Sequence, residues 1–231
     1  MKTTWKNEWP HWMLLAAMFA LAVWMWPLTG DKIPVHWNGS GEIDRYGGKI
    51  EGLLLLPLIS LGVYGLLLVV PRLDPGRANY AQFAKSYRAI RLAVLSLNFA
   101  VYCAILLATA GYRFDMPSVI SVLTGASFIV LGGVMGKIRP NWFVGIRTPW
   151  TLSSKNAWVK THRAGGWTFI ALGVMQIAAG MLFSSPSTLF LTTLLILSAT
   201  VGLSLYSYLV WRSADDKVPP AGTLPADTIT Y

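Results

Sequence analysis

Residues 141–166 read Asn141-Trp-Phe-Val-Gly-Ile-Arg-Thr-Pro-Trp-Thr-Leu-Ser-Ser-Lys-Asn-Ala-Trp-Val-Lys-Thr-His-Arg-Ala-Gly-Gly166. This polar stretch carries three tryptophans and four basic residues, and apolar runs flank it at 116–136 and 165–183. Apolar runs of that length on both sides of a basic segment are the pattern of a chain that crosses a bilayer, emerges and crosses back. Short loops suffice to join membrane helices, so 26 residues with this composition require a role of their own.

The same pattern extends outward. Six apolar runs, at 12–28, 53–70, 92–112, 116–136, 165–183 and 188–211, have 17 to 24 residues each and contain no charge, Arg113 and Asp115 standing just outside their ends. Hydrophobic residues make up 54% of the 231 and charged residues 13%, about half the charged share of a soluble domain. A lone strand cannot satisfy its backbone in hydrocarbon, so each run is expected to be a helix. The fold class is therefore all-α: a polytopic, multi-pass membrane protein with six transmembrane helices. Lys2 and Lys6 before the first run mimic a signal peptide, but Trp26-Pro-Leu-Thr-Gly-Asp31 offers no small-x-small cleavage site. The first run is thus expected to remain as a span.

Basic residues orient the spans. Fifteen of the 19 fall on one side: Lys2 and Lys6; Arg72, Arg77, Lys85, Arg88 and Arg91; Lys137, Arg139, Arg147, Lys155, Lys160 and Arg163; Arg212 and Lys217. Lys32, Arg45, Lys49 and Arg113 fall on the other. The positive-inside rule predicts N-in/C-in topology in a plasma (inner) membrane, with loop 137–164 cytoplasmic and loop 29–52 outside. The net charge of +9 is accounted for by these flanks, membrane lipid is the expected partner, and no nucleic-acid motif is present. Trp5, Trp9 and Trp12 at one end of the first run, Trp24 and Trp26 at the other, and Trp167 and Trp211 elsewhere form an interfacial belt.

Small residues predict packing seams. Gly132 and Gly136 are spaced as G-x-x-x-G, and Gly166, Gly173 and Gly180 recur every seven residues. Packing within the bundle is expected from them. Cys103, the one cysteine, lies in an apolar run without a base and reads as structural. The last residues, 212–231, contain three prolines and few apolar side chains and are expected to be a disordered cytoplasmic tail.

Loop 29–52 contains Ile33-Pro-Val-His-Trp37, a short extended segment, then the turn signal Asn38-Gly-Ser-Gly41. His36, Asn38, Glu42, Asp44, Arg45 and Lys49 crowd it. They read either as an ion-paired cap over helix ends or as a recognition surface. A metal site is not expected, because paired-histidine spacing is missing. In loop 137–164, Asn141 leads into a turn punctuated by Gly145 and Pro149, and Thr151 or Ser153 is placed to cap a following helix. Trp158, Thr161, His162 and Gly165 then share one helical face, predicting a helix on the membrane surface that runs into span five. Arg147 suits a phosphate, a carboxylate or helix-end carbonyls, and the loop also reads as a basic anchor for anionic lipid. Alone, His162 reads as structural. Neither a catalytic pair nor a cofactor motif is present.

At these loops the chain resembles a known family. Gly145-Ile-Arg-Thr-Pro-Trp-Thr-Leu-Ser-Ser-Lys-Asn-Ala-Trp158 with Thr161-His-Arg163 is similar to the signature of the SdpI family of bacterial membrane immunity proteins. Ile33-Pro-Val-His-Trp-Asn38 with Gly41-Glu-Ile-Asp-Arg-Tyr-Gly-Gly-Lys49 resembles the DUF1648 module that precedes it there. The resemblance implies a DUF1648-like module over 1–89, a connecting span over 90–115, an SdpI-like module over 116–211, and no enzymatic activity. It further implies protection against a secreted membrane-active peptide toxin, with a cytoplasmic transcriptional repressor held at the membrane as a second partner. The expected contact residues for the toxin are His36, Asn38, Glu42, Asp44, Arg45 and Lys49. The cytoplasmic motif is Asn141, Gly145, Arg147, Thr148, Pro149, Trp150, Trp158, Thr161 and His162. The alternatives are a small-solute or ion transporter or channel, for which the spans offer mainly Asn98 and Gln176, and a membrane enzyme of undefined reaction.

Overall fold

The computed structural model describes residues 5–183 and 185–218. In chain order these form α1 (Trp5–Met25), β1 (Ile33–Trp37), β2 (Ile43–Gly47), a wide π turn (Ile50–Leu54) leading into α2 (Leu55–Leu73), a 3-10 turn (Arg77–Ala81), α3 (Ala84–Thr109), α4 (Met116–Met135), the short α5 (Pro149–Leu152), α6 (Lys155–Leu182) and α7 (Ser185–Arg212). The architecture is an all-α membrane fold with one small antiparallel hairpin, β1–β2, standing at one end. Five helical stretches are long and apolar enough to cross a membrane: Ile50–Leu73, Ala84–Thr109, Met116–Met135, Lys155–Leu182 and Ser185–Arg212. The other long helix, α1, has Glu8, Pro10 and His11 in its first turns, which lowers its apolarity.

Two groups of helices build the molecule. The first contains α1, α2 and α3, with Met18, Ala22, Met25, Leu53, Tyr102 and Leu106 packed around Ile33 of β1. Gly52 has no side chain because Ile33 occupies the space where its Cβ would lie. The second group contains α4, α6 and α7, and α3 packs on α4 to join the two. The most extensive pairing is the antiparallel one between α4 and α6.

The glycines explain that pairing. A methyl group at Gly132 would lie 2.6 Å from the Gly166 carbonyl oxygen, one at Gly125 would lie 2.6 Å from that of Gly173, and one at Gly180 would lie 2.7 Å from that of Ser118. Ser118, Gly125 and Gly132 therefore form a seven-residue repeat facing Gly166, Gly173 and Gly180, so the seam is internal to the bundle, as expected. Gly136 is looser, 3.8 Å from Arg163 by the same measure, and Gly125 takes its place in the repeat. Polar side chains add local bonds: Ser121 donates to the Gln176 carbonyl at 2.9 Å, and the Asn98 amide donates to Ser60 Oγ at 3.1 Å.

Several boundaries differ from the sequence expectation. The predicted surface helix and span five are one continuous helix, α6. Its cap is Ser154, whose hydroxyl accepts from the Ala157 N–H at 3.0 Å, rather than Thr151 or Ser153. Thr151 belongs to α5, where Thr148 is the capping residue. Helix α3 starts at Ala84, not near 92, so Arg88 and Arg91 are helical rather than loop residues. Of the expected disordered tail, residues 213–218 fold back on the start of α6, and residues 219–231 lie outside the described residues, as does Lys2.

Candidate functional site

The hairpin keeps its charges at the surface. His36 Nδ1 and Asp44 Oδ1 are 2.6 Å apart, and both side chains are largely exposed. Asn38 shapes the turn: its Oδ1 accepts from the N–H groups of Ser40 (2.9 Å) and Glu42 (3.0 Å), and its Nδ2 donates to Glu42 Oε2 at 3.2 Å. Arg45 pairs with Glu51. Lys49 Nζ donates to the Trp26 carbonyl at 2.9 Å, pinning the hairpin base to the end of α1. The turn reaches across to the second helix group, where Gly41, at φ +81°, lies against Asp115 and Ser185. Asp115 caps α4 by accepting from the Ser118 N–H and also accepts from the Ser185 hydroxyl at the start of α7. Among the described residues, no group of three or more His, Cys, Asp or Glu side chains stands close enough to hold a metal.

At the opposite end, the 137–154 segment is closed by its own polar groups. Buried Asn141 uses both ends of its amide: Oδ1 accepts from the N–H groups of Phe143 (3.0 Å) and Val144 (2.7 Å), and Nδ2 donates to the carbonyls of Arg139 and Val144 at 2.9 Å each. Asp74, 1% exposed, accepts from the Gly76 N–H (2.6 Å), the Tyr80 hydroxyl (2.8 Å) and the Trp142 N–H (3.1 Å). Burial, and next the bond to Asp74, raise the Tyr80 phenol above its usual range. Asn79 donates to the Pro140 carbonyl at 2.7 Å. The α2–α3 connection and the 137–144 turn are thus knitted together.

His162 is fully buried and fully occupied. A carbonyl only accepts, so Nδ1 donates to the Trp158 carbonyl at 2.9 Å, and Nε2 accepts from the Ile146 N–H at 3.0 Å. The ring is neutral, stacks on Trp158 at 4.1 Å, and has no nitrogen free for proton transfer. Gly145, at φ +111°, has no room for a Cβ because His162 fills that space. Trp158 Nε1 donates to the Ile138 carbonyl at 3.0 Å. Arg147 Nη1 donates to the Trp142 carbonyl at 2.7 Å. Thr148, followed by Pro149 in the first turn of α5, forms a reciprocal cap with Thr151, and its hydroxyl lies 2.9 Å from Ser207 Oγ of α7. Trp150 packs on Tyr208 at 5.3 Å. Thr161 is buried, its hydroxyl unpartnered among the described residues.

Two features escape a linear reading of the chain. One is a buried charge cluster between α1, α2 and α3. Arg91, fully buried, donates from Nη2 to Glu8 Oε1 at 2.6 Å, and Tyr64 donates to Glu8 Oε2 at 3.0 Å. His11 Nδ1 lies 3.2 Å from the same carboxylate, and its ring stacks on Tyr64 at 5.3 Å. The weak signal for this cluster is Glu8, a lone acid beside the first apolar run. The other is Asp216, which accepts from the Ser154 hydroxyl (2.6 Å) and the Asn156 N–H (2.9 Å). These bonds, the Ser154 one first, hold its carboxyl below the ordinary value of 3.8.

Residues 137–207 match the SdpI/YfhL protein family, and residues 13–61 match DUF1648, a domain of unknown function. Along 198 residues the chain is 23% identical to the immunity protein SdpI of Bacillus subtilis (strain 168), covering 85% of this chain and 91% of that protein. Residues 137–207 thus carry an SdpI-family segment, preceded by a DUF1648 segment. No solved structure matches the chain. The DUF1648 segment supplies the hairpin and the SdpI segment supplies most of the closed polar turn. The two halves meet at both ends: Gly41 against Asp115 and Ser185 at one, Asp74 against Trp142 at the other.

Proposed function

We propose that this protein is a membrane immunity protein that protects the cell making it from a secreted, membrane-active peptide. The observation that carries this reading is the ordered match of both modules, together with the likeness to the Bacillus immunity protein over most of both chains. In the proposed arrangement α1 is the sixth span, both termini lie in the cytoplasm of a plasma-membrane protein, and the hairpin faces outward, in line with the distribution of basic residues. The hairpin is the contact surface, through His36, Asn38, Glu42, Asp44, Arg45 and Lys49. Of these, His36, Glu42, Asp44 and Arg45 are exposed and bonded to near neighbours in the chain, which leaves them able to exchange partners with a peptide, while Asn38 and Lys49 shape the turn and its base.

The hairpin turn rests on the starts of α4 and α7. A peptide that prefers one hairpin position over another therefore biases those helices, and its leverage equals its difference in affinity for the two positions. The 137–154 segment lies at the far ends of the same helices and is the proposed docking face for a cytoplasmic repressor. The test is expression in a toxin-sensitive host lacking its own immunity gene, challenged with secreted membrane-active peptides. Survival is the expected result, and killing at the rate of empty-vector cells removes the proposal.

Movement of an ion or small solute is a second reading, favoured by the buried Glu8–Arg91–His11 cluster. Flux into vesicles that is lost in Arg91→Met would support it, and absence of flux would leave the cluster a structural tie.

A further inference from the structure

An elongated slot of about 260 Å³ opens between α4, α6 and α7 beside the Gly145–Thr148 turn. Phe128, Phe169, Leu172, Ile196, Ala199 and Leu203 make its walls apolar. Its charged end lies where Arg147 and Thr148 of the turn meet Ser204 of α7, and Thr200, one helical turn further in, keeps its hydroxyl bonded to the Ile196 carbonyl at 2.8 Å. Along α7 the lining runs from Ile196 to Ser204, about 12 Å of helical rise. The slot therefore has the shape of a single hydrocarbon chain aligned with the helices, with one cationic end.

The cation at that end is available. Arg147 is exposed, and among the described residues its one hydrogen bond runs from Nη1 to the Trp142 carbonyl. A guanidinium has five N–H donors, so most of the fork remains open to an anion. The bond to Trp142 fixes the fork beside the slot instead of letting it wander in solvent. The surrounding side chains set the depth. Trp142 is 55% exposed and Phe143 43%, and Trp150 of α5 packs on Tyr208. Aromatic rings around a basic residue at helix ends mark the headgroup level of a bilayer. An arginine at headgroup depth above an apolar slot along the helices presents the two chemistries of a phospholipid in the right order.

We propose that this slot binds one acyl chain of an anionic phospholipid, with the lipid phosphate on the Arg147 guanidinium. Ala199 is the position that keeps the slot open, since its small side chain forms part of the wall. The site is separate from the hairpin and does not depend on what the hairpin recognises.

The test uses the full-length protein, delipidated in mild detergent and titrated with equal amounts of phosphatidylglycerol and phosphatidylcholine, with bound lipid counted by native mass spectrometry. One phosphatidylglycerol per chain is expected, retained about fivefold over phosphatidylcholine, whose choline cation offsets the phosphate charge that the exposed Arg147 would meet. Arg147→Gln should erase the preference, while Arg147→Lys keeps part of it. Ala199→Phe should fill the slot and expel the lipid while Arg147 is still present, with circular dichroism showing that the helices remain. Equal retention of both lipids by the unaltered protein would overturn the proposal. So would a preference unchanged in Arg147→Gln, or complete displacement by inorganic phosphate, which would make the site an anion site without a chain slot.

Discussion

The hairpin and the 137–154 turn are both polar, both rich in residues that suggest chemistry, and lie at opposite ends of the same helices, yet they spend their polar groups differently. In the turn, Asn141, His162 and Asp74 are buried, and their donors and acceptors go to named backbone groups. In the hairpin, the His36–Asp44 pair is exposed and bonded mainly within itself. Polar groups committed to backbone hold a shape, whereas exposed and loosely paired groups can change partners. The richest motif in the sequence is thus chiefly an architectural device, and the contact surface is proposed on the plainer hairpin.

Substitutions can break or sharpen this contrast. The largest effect is expected in the interior, where Arg91→Met leaves Glu8 buried without its cation at a cost of about 3–5 kcal/mol. Denaturant unfolding in detergent measures it, and the Glu8→Gln/Arg91→Met double variant should recover much of the loss. Next comes the turn. Asn141→Ala removes four hydrogen bonds from its side chain to backbone groups and is expected to cost about 2–3 kcal/mol. His162→Phe keeps a ring on Trp158 but leaves the Ile146 N–H without its acceptor, for about 1–2 kcal/mol. Both should lower protection only as far as they lower the amount of folded protein.

The hairpin should behave in the opposite way. His36→Ala with Asp44→Ala removes an exposed pair worth less than about 1 kcal/mol, so thermal unfolding should barely move while protection falls. The smallest effect belongs to the tail. The Asp216 carboxyl is depressed in the folded protein, so its contribution is present above the ordinary value of 3.8 and is lost as pH falls through the lowered one. Asp216→Asn should free the tail at neutral pH, seen as faster proteolysis after Arg212, and should remove that acid dependence.

Much of the fold is legible in the chain because hydrocarbon imposes a simple rule on sequence. The apolar runs, the extended Ile33–Trp37, the turn at Asn38 and the seven-residue glycine repeat are local patterns. The helix ends are less visible: α3 and α6 extend beyond their apolar parts as amphipathic turns, so Ala84 and Lys155 carry no hydropathy signal. Strand β2 is nearly all exposed and has no alternation to betray it. The decisive ties are long-range pairings. Arg91 meets Glu8 across 83 residues, Trp142 meets Asp74 across 68, and Asp216 meets Ser154 across 62. Periodicity does not report such partners, so Arg91 reads as one more flanking charge until the bundle is assembled.

The most direct test of the hairpin's role is survival of a toxin-sensitive host making this protein, compared with the same host making the His36→Ala/Asp44→Ala variant at equal folded abundance in the membrane. Protection by the unaltered protein and its loss in the variant is the predicted result. Equal protection by both would contradict a contact surface on the hairpin and move the functional site elsewhere in the bundle.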